Sequence, residues 1–167
     1  LIKKEVHEVN KIANSYFQKQ LTNNTSENSK EILLYLKNRG ITLEVIKKHH
    51  IGYCPDGNLG SLFEYFRSNK TNKRGVKNSN LLIKKENSEE WVDFFRNRTT
   101  IAILDQNSNI VGFGGRSTNE LQKSKYINSK DSDIFNKSKI LYGIDRASEK
   151  IKLKSQVVIV EGYFDCI

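Results

Sequence analysis

The apolar run at 157–160, Val-Val-Ile-Val, constrains the fold more than any other stretch of this chain. Four β-branched residues in succession cannot alternate between core and solvent, so they predict a strand covered on both faces, as in parallel sheets. Glu161 and Gly162 follow directly, and Asp165 falls at the start of a predicted helix. Carboxylates just beyond the carboxyl end of such a strand can hold a hard cation such as Mg²⁺. A second interpretation, in which Glu161 only caps the helix, stays open at this point.

The charge of the chain favours a polyanionic partner. Its 28 lysines and arginines exceed its 19 acidic residues, which gives a net charge of +9. The surplus is concentrated in residues 67–85, which contain seven basic and no acidic side chains, and in residues 121–154, with nine against four. Phosphate contacts that release counterions use such a surplus, although a generally basic, well-solvated surface would give the same total.

Cysteine and histidine usage does not indicate a zinc ribbon or a disulfide framework. Cys54 and Cys166 lie far apart and form no Cys-x-x-Cys pair, and the three histidines lack the spacing of metal ligands. A reduced, intracellular setting is expected. No apolar run approaches the ~18 residues of a membrane helix, so no membrane partner is predicted. The absence of methionine, and a run at 157–160 with no later strand to pair with, indicate an internal fragment of a longer protein.

Hydrophobic periodicity predicts helices in the first half of the chain. A helix is expected over 3–21, and further helices are expected to be capped by Ser29 and Thr42. A fourth helix is expected around 62–66. The basic tract 67–80 that follows is expected to be an exposed loop or a frayed helix end.

Strand patterns follow the basic tract, and one more helix precedes the final apolar run. The clearest hairpin joins 99–104 to 110–114. The other predicted elements are strands at 81–84, 91–95 and 125–128 and a helix at 144–152. The expected fold class is therefore α+β, with a helical N-terminal part, a mostly antiparallel central sheet, and then the first strand of an α/β domain.

Two common ligand motifs are incomplete in this sequence. Segment 105–109 opens like a calcium loop, but Ile110 and Arg116 occupy the places of its glycine and glutamate. The glycines of 112–115 lack the third glycine and the following helix of a dinucleotide fingerprint. A strand that allows close backbone approach is the better account of those glycines.

The segment 158–165, Val-Ile-Val-Glu-Gly-Tyr-Phe-Asp, resembles the first motif of the TOPRIM domain, which replicative primases share with topoisomerases and some nucleases. The Tyr after Glu-Gly favours the primase branch. Further segments, in matching order and spacing, resemble the RNA polymerase domain of bacterial-type (DnaG-like) replicative primases: 35–41, 51–57, 93–98, 111–116, 125–129, 135–137 and 141–143. Residues 67–90 match poorly, and Ala102 stands where the family usually has Pro.

This resemblance implies a domain organisation and an activity. Residues 1–156 would form the basic N-terminal subdomain of the primase polymerase domain, and residues 157–167 the first strand and turn of a truncated TOPRIM subdomain. The complete enzyme would be a DNA-directed RNA polymerase, a nucleotidyltransferase that joins ribonucleoside triphosphates into a short RNA primer on single-stranded DNA with Mg²⁺ or Mn²⁺. The fragment alone is expected to bind nucleic acid without making primers.

The resemblance also implies partners and a location. Zinc would belong only to a preceding domain, and a replicative helicase would be contacted through other regions of the protein. The expected place of action is the replication fork in the bacterial cytoplasm, with an organelle of bacterial descent left open.

Individual residues acquire roles through the same resemblance. Glu161 would be a metal ligand or a proton acceptor in catalysis, and Asp165 follows it in the same catalytic motif. Matches to positions that line the family's active-site cleft, and that contact nucleotide phosphates or the nucleic-acid strand, are Arg116, Lys125, Asn128 and Lys137. Matches to basic positions nearer the template path are Arg39, Arg96 and Arg98. Positive charge and fixed donors at such places would stabilise a developing pyrophosphate.

Two rival functions stay open on the residues alone. A non-catalytic module for single-stranded nucleic acid would keep the basic surface but would not need Glu161 and Asp165. A topoisomerase or nuclease with a TOPRIM domain would share 157–167 but not the segments between 112 and 137.

Overall fold

The computed structural model describes residues 1–23, 26–57, 61–85, 87–118 and 124–167. The helices are α1 (Ile2–Thr22), α2 (Glu27–Asn38), α3 (Leu43–Lys48), α4 (Leu62–Ser68), α5 (Lys73–Ser79), α6 (Ile144–Lys154) and α7 (Tyr163–Cys166). The strands are β1 (Ile51–Cys54), β2 (Leu82–Lys84), β3 (Trp91–Asp93), β4 (Arg98–Leu104), β5 (Ile110–Ser117) and β6 (Tyr126–Asn128). Within the described ranges, no helix has both the length and the apolar character needed to cross a membrane.

A four-stranded antiparallel sheet in the order β1-β4-β5-β6 forms the centre of the fold, and β2 and β3 pair separately. Strands β4 and β5 are the predicted hairpin, with Ala102 opposite Phe113. Every residue of β4 is buried because both faces are covered. Ala102 and Leu104 pack in the cluster that includes α1, whereas Ile101 packs in the cluster that includes α2 and α3. The α+β class with a mostly antiparallel sheet is confirmed.

Helix α1 forms a large part of the core. Its buried apolar residues recur at the predicted helical spacing: Val6, Val9, Ala13, Tyr16, Phe17 and Leu21. The helix lies directly on β1, where a Cβ at Gly52 would come within 2.6 Å of the Phe17 backbone carbonyl carbon. No larger residue fits this approach without moving the backbone, so Gly52 sets the distance between the helix and the sheet.

The caps of α2 and α3 test the predicted helix starts. Ser26, and not Ser29, caps α2, because the Ser29 backbone N–H donates to Ser26 Oγ at 3.1 Å. The predicted start at Ser29 is therefore three residues late. Thr42 caps α3 as predicted, accepting from the Val45 N–H at 3.3 Å. Both Ser26 and Ser29 have a hydroxyl that could cap a helix, but the Ser29 hydroxyl instead donates to the Gln20 carbonyl oxygen at 2.9 Å.

The prediction of a loop or frayed end for the basic tract is wrong over 73–79, which form α5. Asn72 caps this helix by accepting from the Gly75 N–H at 2.8 Å. Gly75 faces α1 so closely that a Cβ there would lie 2.9 Å from the Glu5 carbonyl oxygen and from Val9 Cγ2. The sequence pattern did not predict this packed face, because the contact is made through backbone and a glycine rather than through a stripe of apolar side chains.

The run at 157–160 forms no strand in this structure. Its side chains are exposed to solvent, from 42% at Val160 to 88% at Val158. A covered parallel strand needs neighbouring strands on the sheet, and no strand of the described residues pairs with this run. The short helix α7 that follows it is present as predicted, while the division into subdomains at 156 stays a prediction.

Candidate functional site

A cavity of about 880 Å³ lies between helix α2 and the β4–β5 hairpin. Two of the predicted phosphate contacts, Arg116 and Lys125, line it together. The other lining residues are Asn28, Glu31, Ile32, Tyr35, Asn97, Thr99, Ser117 and Thr118. Strand pairing explains the grouping, because Arg116 stands opposite Thr99 on one side and opposite Tyr126, the residue after Lys125, on the other.

Arg116 is held by an aromatic ring that the sequence interpretation missed. Its guanidinium carbon lies 4.4 Å from the centroid of the Tyr35 ring, and the guanidinium of Arg39 lies 5.4 Å from the same centroid. Arg39 also lies 5.3 Å from the Phe164 ring, so α2 and α7 meet at this point. Within the described part of the chain, Arg116 Nε is buried and has no hydrogen-bond partner. The stacking orients the guanidinium of Arg116, and its Nε–H remains available to donate a hydrogen bond.

Arg98 occupies a different environment from the other predicted template contacts. It is only 8% exposed, and its Nη1 donates to the carbonyl oxygens of Ser124 at 2.9 Å and Lys125 at 3.5 Å. Burial, and to a smaller extent the charge of Arg96, lowers the pKa of this guanidinium. Its contacts fix the backbone that carries Lys125, so in this structure Arg98 positions a cavity residue.

Arg96 lies in the turn between β3 and β4, beside a carboxylate with a structural role. Its Nη1 donates to the Asp93 carbonyl oxygen at 3.2 Å. The Asp93 carboxylate is buried and accepts from the Leu62 N–H at 2.8 Å and the Phe63 N–H at 3.3 Å, at the start of α4. Burial raises the pKa of Asp93 despite these hydrogen bonds. Arg96 does not line the cavity beside Arg116.

Asn128 lies on the edge strand β6 and is tied to the turn that follows Glu161. The Tyr163 hydroxyl donates to Asn128 Oδ1 at 2.6 Å. The Tyr163 ring covers Gly114, where a Cβ would lie 2.5 Å from the ring, and it stacks edge-on against Tyr142. Burial raises the pKa of Tyr163 to about 12, so the hydroxyl keeps its proton at neutral pH. The hydrogen bond joins the two halves of the predicted site.

Lys137 is exposed on the irregular segment between β6 and α6. Its backbone N–H donates to Asp131 Oδ1 at 3.0 Å, while Phe135 is buried against Gly112. These contacts fix the backbone at Lys137. The residue lies outside the lining of the Arg116 cavity.

The two predicted carboxylates behave differently. Glu161 is exposed, whereas the Asp165 carboxylate accepts from the Gly162 N–H at 3.0 Å and thereby caps α7. Carboxylate oxygens are ligands that Mg²⁺ prefers in proteins. Among the residues that the structure describes, however, no group of three or more His, Cys, Asp or Glu side chains could hold a metal ion. The described residues thus supply at most part of a metal site.

Sequence reasoning missed Tyr35, Tyr163 and Thr99 as members of the site. Tyr35 precedes Arg39 by one helical turn, and that spacing on α2 is a signal that could have identified the pair. The contacts of Tyr163 with Asn128 and Gly114 span long sequence separations and carry no local signal.

A match to a known protein family covers most of the chain. Residues 16–148 match the family of the DNA primase catalytic core, N-terminal domain. A DNA primase of Legionella pneumophila is 36% identical over 154 residues, and one of Rickettsia felis is 39% identical over 163 residues. These alignments cover 91% and 98% of this chain but 25% and 26% of the relatives. The chain therefore spans about a quarter of the length of these curated relatives.

Solved primase structures share the fold. An Aquifex aeolicus primase structure with zinc-binding and RNA polymerase domains aligns with a TM-score of 0.82 and 30% identity, over 99% of this chain and 39% of that one. A DnaG primase catalytic domain bound to single-stranded DNA aligns with a TM-score of 0.79 and 27% identity, over 97% of this chain and 49% of that one. Sequence and fold agree, and the chain belongs to the family of the DNA primase catalytic core, N-terminal domain, of DnaG-type primases.

Proposed function

We propose that this chain is the nucleotide- and template-contacting part of an enzyme that synthesises short RNA primers on single-stranded DNA. The observation that carries the proposal is the shared cavity of Arg116 and Lys125, in which one guanidinium is oriented by an aromatic ring. The planar guanidinium of Arg116 and the compact ammonium group of Lys125, in one cavity, suit the oxygens of a triphosphate.

Each residue of the site has a distinct proposed role. Arg116 and Lys125 bind phosphates of the nucleotide or of the nucleic-acid strand within the cavity. Asn128, oriented by Tyr163, contributes an amide donor at the edge of the sheet. Lys137 adds charge from the neighbouring segment. In the complete enzyme these donors stabilise the negative charge that develops on the leaving pyrophosphate.

The single-stranded template is proposed to bind along Arg39 and Arg96. Arg39 and Arg96 contact the phosphates of the single strand, and Arg98 acts through the Ser124–Lys125 backbone that it holds. One solved relative is a primase catalytic domain bound to single-stranded DNA, and we infer the same class of ligand here. RNA primer and ribonucleoside triphosphates complete the set of ligands.

Metal chemistry is proposed to depend on residues beyond this chain. Glu161 contributes one oxygen ligand for Mg²⁺ or Mn²⁺, and Asp165 stabilises the turn that presents it. Such an ion supplies charge neutralisation at the transferring phosphate when it is bound. Zinc belongs to a separate domain, as in the Aquifex aeolicus structure, and the helicase contact lies elsewhere in the enzyme.

Titration of a labelled oligo(dT) strand at about 50 and about 200 mM salt tests the proposal, because phosphate contacts make affinity fall with salt. We expect weak, salt-dependent binding with little sequence preference. The double variant Arg116→Ala, Lys125→Ala should bind more weakly and with a shallower salt slope. Its matched control is Lys150→Ala, Lys154→Ala, which removes the same charge from α6. Affinity that does not change with salt would overturn the proposal.

A further inference from the structure

A second groove, of about 760 Å³, lies where α4, α5, β2 and β3 meet. Among the described residues, none lines both this groove and the Arg116 cavity. Its lining residues are Phe63, Phe66, Arg67, Lys70, Thr71, Asn72, Lys73, Val76, Lys77, Leu82 and Trp91. This groove contains most of the basic tract that the proposed function leaves without a role.

The floor and one edge of the groove are apolar. Phe66 and Leu82 are 4% and 9% exposed and form its base together with the half-buried Val76. Phe63 and Trp91 also line the groove and are 36% and 43% exposed. Aromatic and aliphatic carbon open to water in a concave surface is the usual form of a site for apolar side chains.

The rim of the groove is cationic on both sides. Arg67 lies in the last turn of α4 and Lys70 in the turn that follows this helix, and Lys73 and Lys77 lie one helical turn apart on α5. None of the described residues that line the groove is acidic. Arg67 pairs with Glu64 at 3.2 Å, whereas no described residue forms an ion pair with Lys70, Lys73 or Lys77.

From this arrangement we infer that the groove docks an acidic, amphipathic peptide segment of a partner protein. An apolar side chain of the peptide would enter between Phe66, Val76 and Leu82, and flanking carboxylates would meet the lysines of the rim. Complementary charge would steer the encounter, and the apolar contact would supply most of the affinity.

A single nucleic-acid strand suits this groove less well. Bases stack on open aromatic faces. Phe63 and Trp91 offer such faces, but the floor consists of the almost fully buried Phe66 and of Val76 and Leu82, which have no ring. A group that reaches the floor would therefore meet mainly aliphatic carbon, which favours an apolar side chain over a base at that point.

Trp91 gives a direct readout, because it is the one tryptophan of the 167-residue sequence. The probe is a short synthetic peptide in which Asp alternates with Leu and Phe. The control peptide carries Ser in place of Leu and Phe and has the same charge, and oligo(dT) of equal charge serves as the nucleic-acid probe. We expect saturable quenching or a blue shift of Trp91 emission with the first peptide and no saturable change with the other two.

Variants of the rim and the edge separate charge from apolar contact. Lys73→Glu, Lys77→Glu should weaken peptide binding about tenfold or more, because attraction becomes repulsion. Lys150→Glu, Lys154→Glu makes the same change at the same spacing on α6 and should leave binding unchanged. Phe63→Ser should weaken binding without changing charge, and it serves as the test if the lysine variant fails to fold.

Three results would overturn the inference. Equal binding of the Ser peptide would reduce the groove to a charged surface. Saturable binding of oligo(dT) alone would make it a nucleic-acid site. No change in Trp91 emission with any probe would leave the groove without a ligand of this class.

Discussion

The Tyr163 hydroxyl donates to Asn128 Oδ1 at 2.6 Å, across 35 positions of sequence. This hydrogen bond joins the turn that carries Glu161 to the edge strand of the sheet. Since Asn128 accepts through Oδ1, the N–H donors of its amide remain available for another acceptor, such as a phosphate oxygen. The relationship brings the predicted carboxylate motif close to Asn128, a predicted phosphate contact, although the two are distant in sequence.

Tyr163→Phe should separate this positioning role from packing. The ring stays on Gly114 and Tyr142, so the melting temperature should change little, while affinity for nucleotide falls because Asn128 is no longer oriented. The expected cost is about 1 kcal/mol of binding free energy, the usual contribution of one hydrogen bond. Calorimetric titration with ATP and thermal unfolding measure the two effects. Tyr126→Phe, at an exposed tyrosine on the same strand, is the control.

Arg116→Lys should weaken nucleotide and DNA binding although it keeps the charge. Lysine cannot reproduce the planar stack 4.4 Å above Tyr35 or the two-pronged donor geometry. Because the charge is kept, the salt slope of binding should stay near that of the unmodified chain, whereas Arg116→Ala should lower both affinity and slope. Fluorescence anisotropy with a labelled strand distinguishes the two patterns. Identical affinity for Arg116→Lys would mean that only charge matters at this position.

Gly52→Ala should destabilise the fold by about 1–3 kcal/mol, the range for overpacking a filled interior. The added methyl group would meet the backbone of Phe17 at 2.6 Å, and a helix backbone cannot move away as a flexible side chain can. Urea unfolding gives the change in the free energy of unfolding. Gly57→Ala is the matched control, since no atom of the described residues lies within 4 Å of a Cβ there. Equal stability of the two variants would show that α1 and β1 are not held this closely.

Acidification should lower stability through His49 and His50. Burial, followed by the charge of Arg146, lowers the pKa of both imidazoles from the ordinary value of 6.5. The unfolded chain then takes up protons first as the pH falls, so the stabilising contribution is present above pH 6.5 and is lost below it. His49→Gln, His50→Asn should flatten the melting temperature between about pH 7.5 and 5.5. Asparagine suits the positive φ of 51° at His50, and His7→Gln controls for the loss of one imidazole.

Local patterns in the sequence predicted the elements that depend on local chemistry. Helix α1, the β4–β5 hairpin and the Thr42 cap follow from side-chain periodicity and from hydrogen bonds within a few residues. The run at 157–160 has the composition of a covered strand, but a strand requires neighbours, and composition does not supply them.

The site was predictable in its residues more than in its geometry. The motifs indicated Arg116 and Lys125, and the structure places both on one cavity. The burial of Arg98 could not be inferred, because it depends on β4 being covered on both faces and on the return of the chain at Ser124. The role of Tyr163 likewise depends on contacts made only after the chain has folded.

Primer synthesis, measured with labelled nucleoside triphosphates on a single-stranded template, tests the central proposal most directly. The 167-residue chain should bind template in a salt-dependent manner and make no primers with Mg²⁺ or Mn²⁺, because Glu161 and Asp165 offer too few oxygen ligands to hold the ions. A longer primase that contains the same residues should make primers, and Glu161→Gln in that protein should abolish synthesis while leaving template binding nearly intact. Primers made by the 167-residue chain alone would contradict the account.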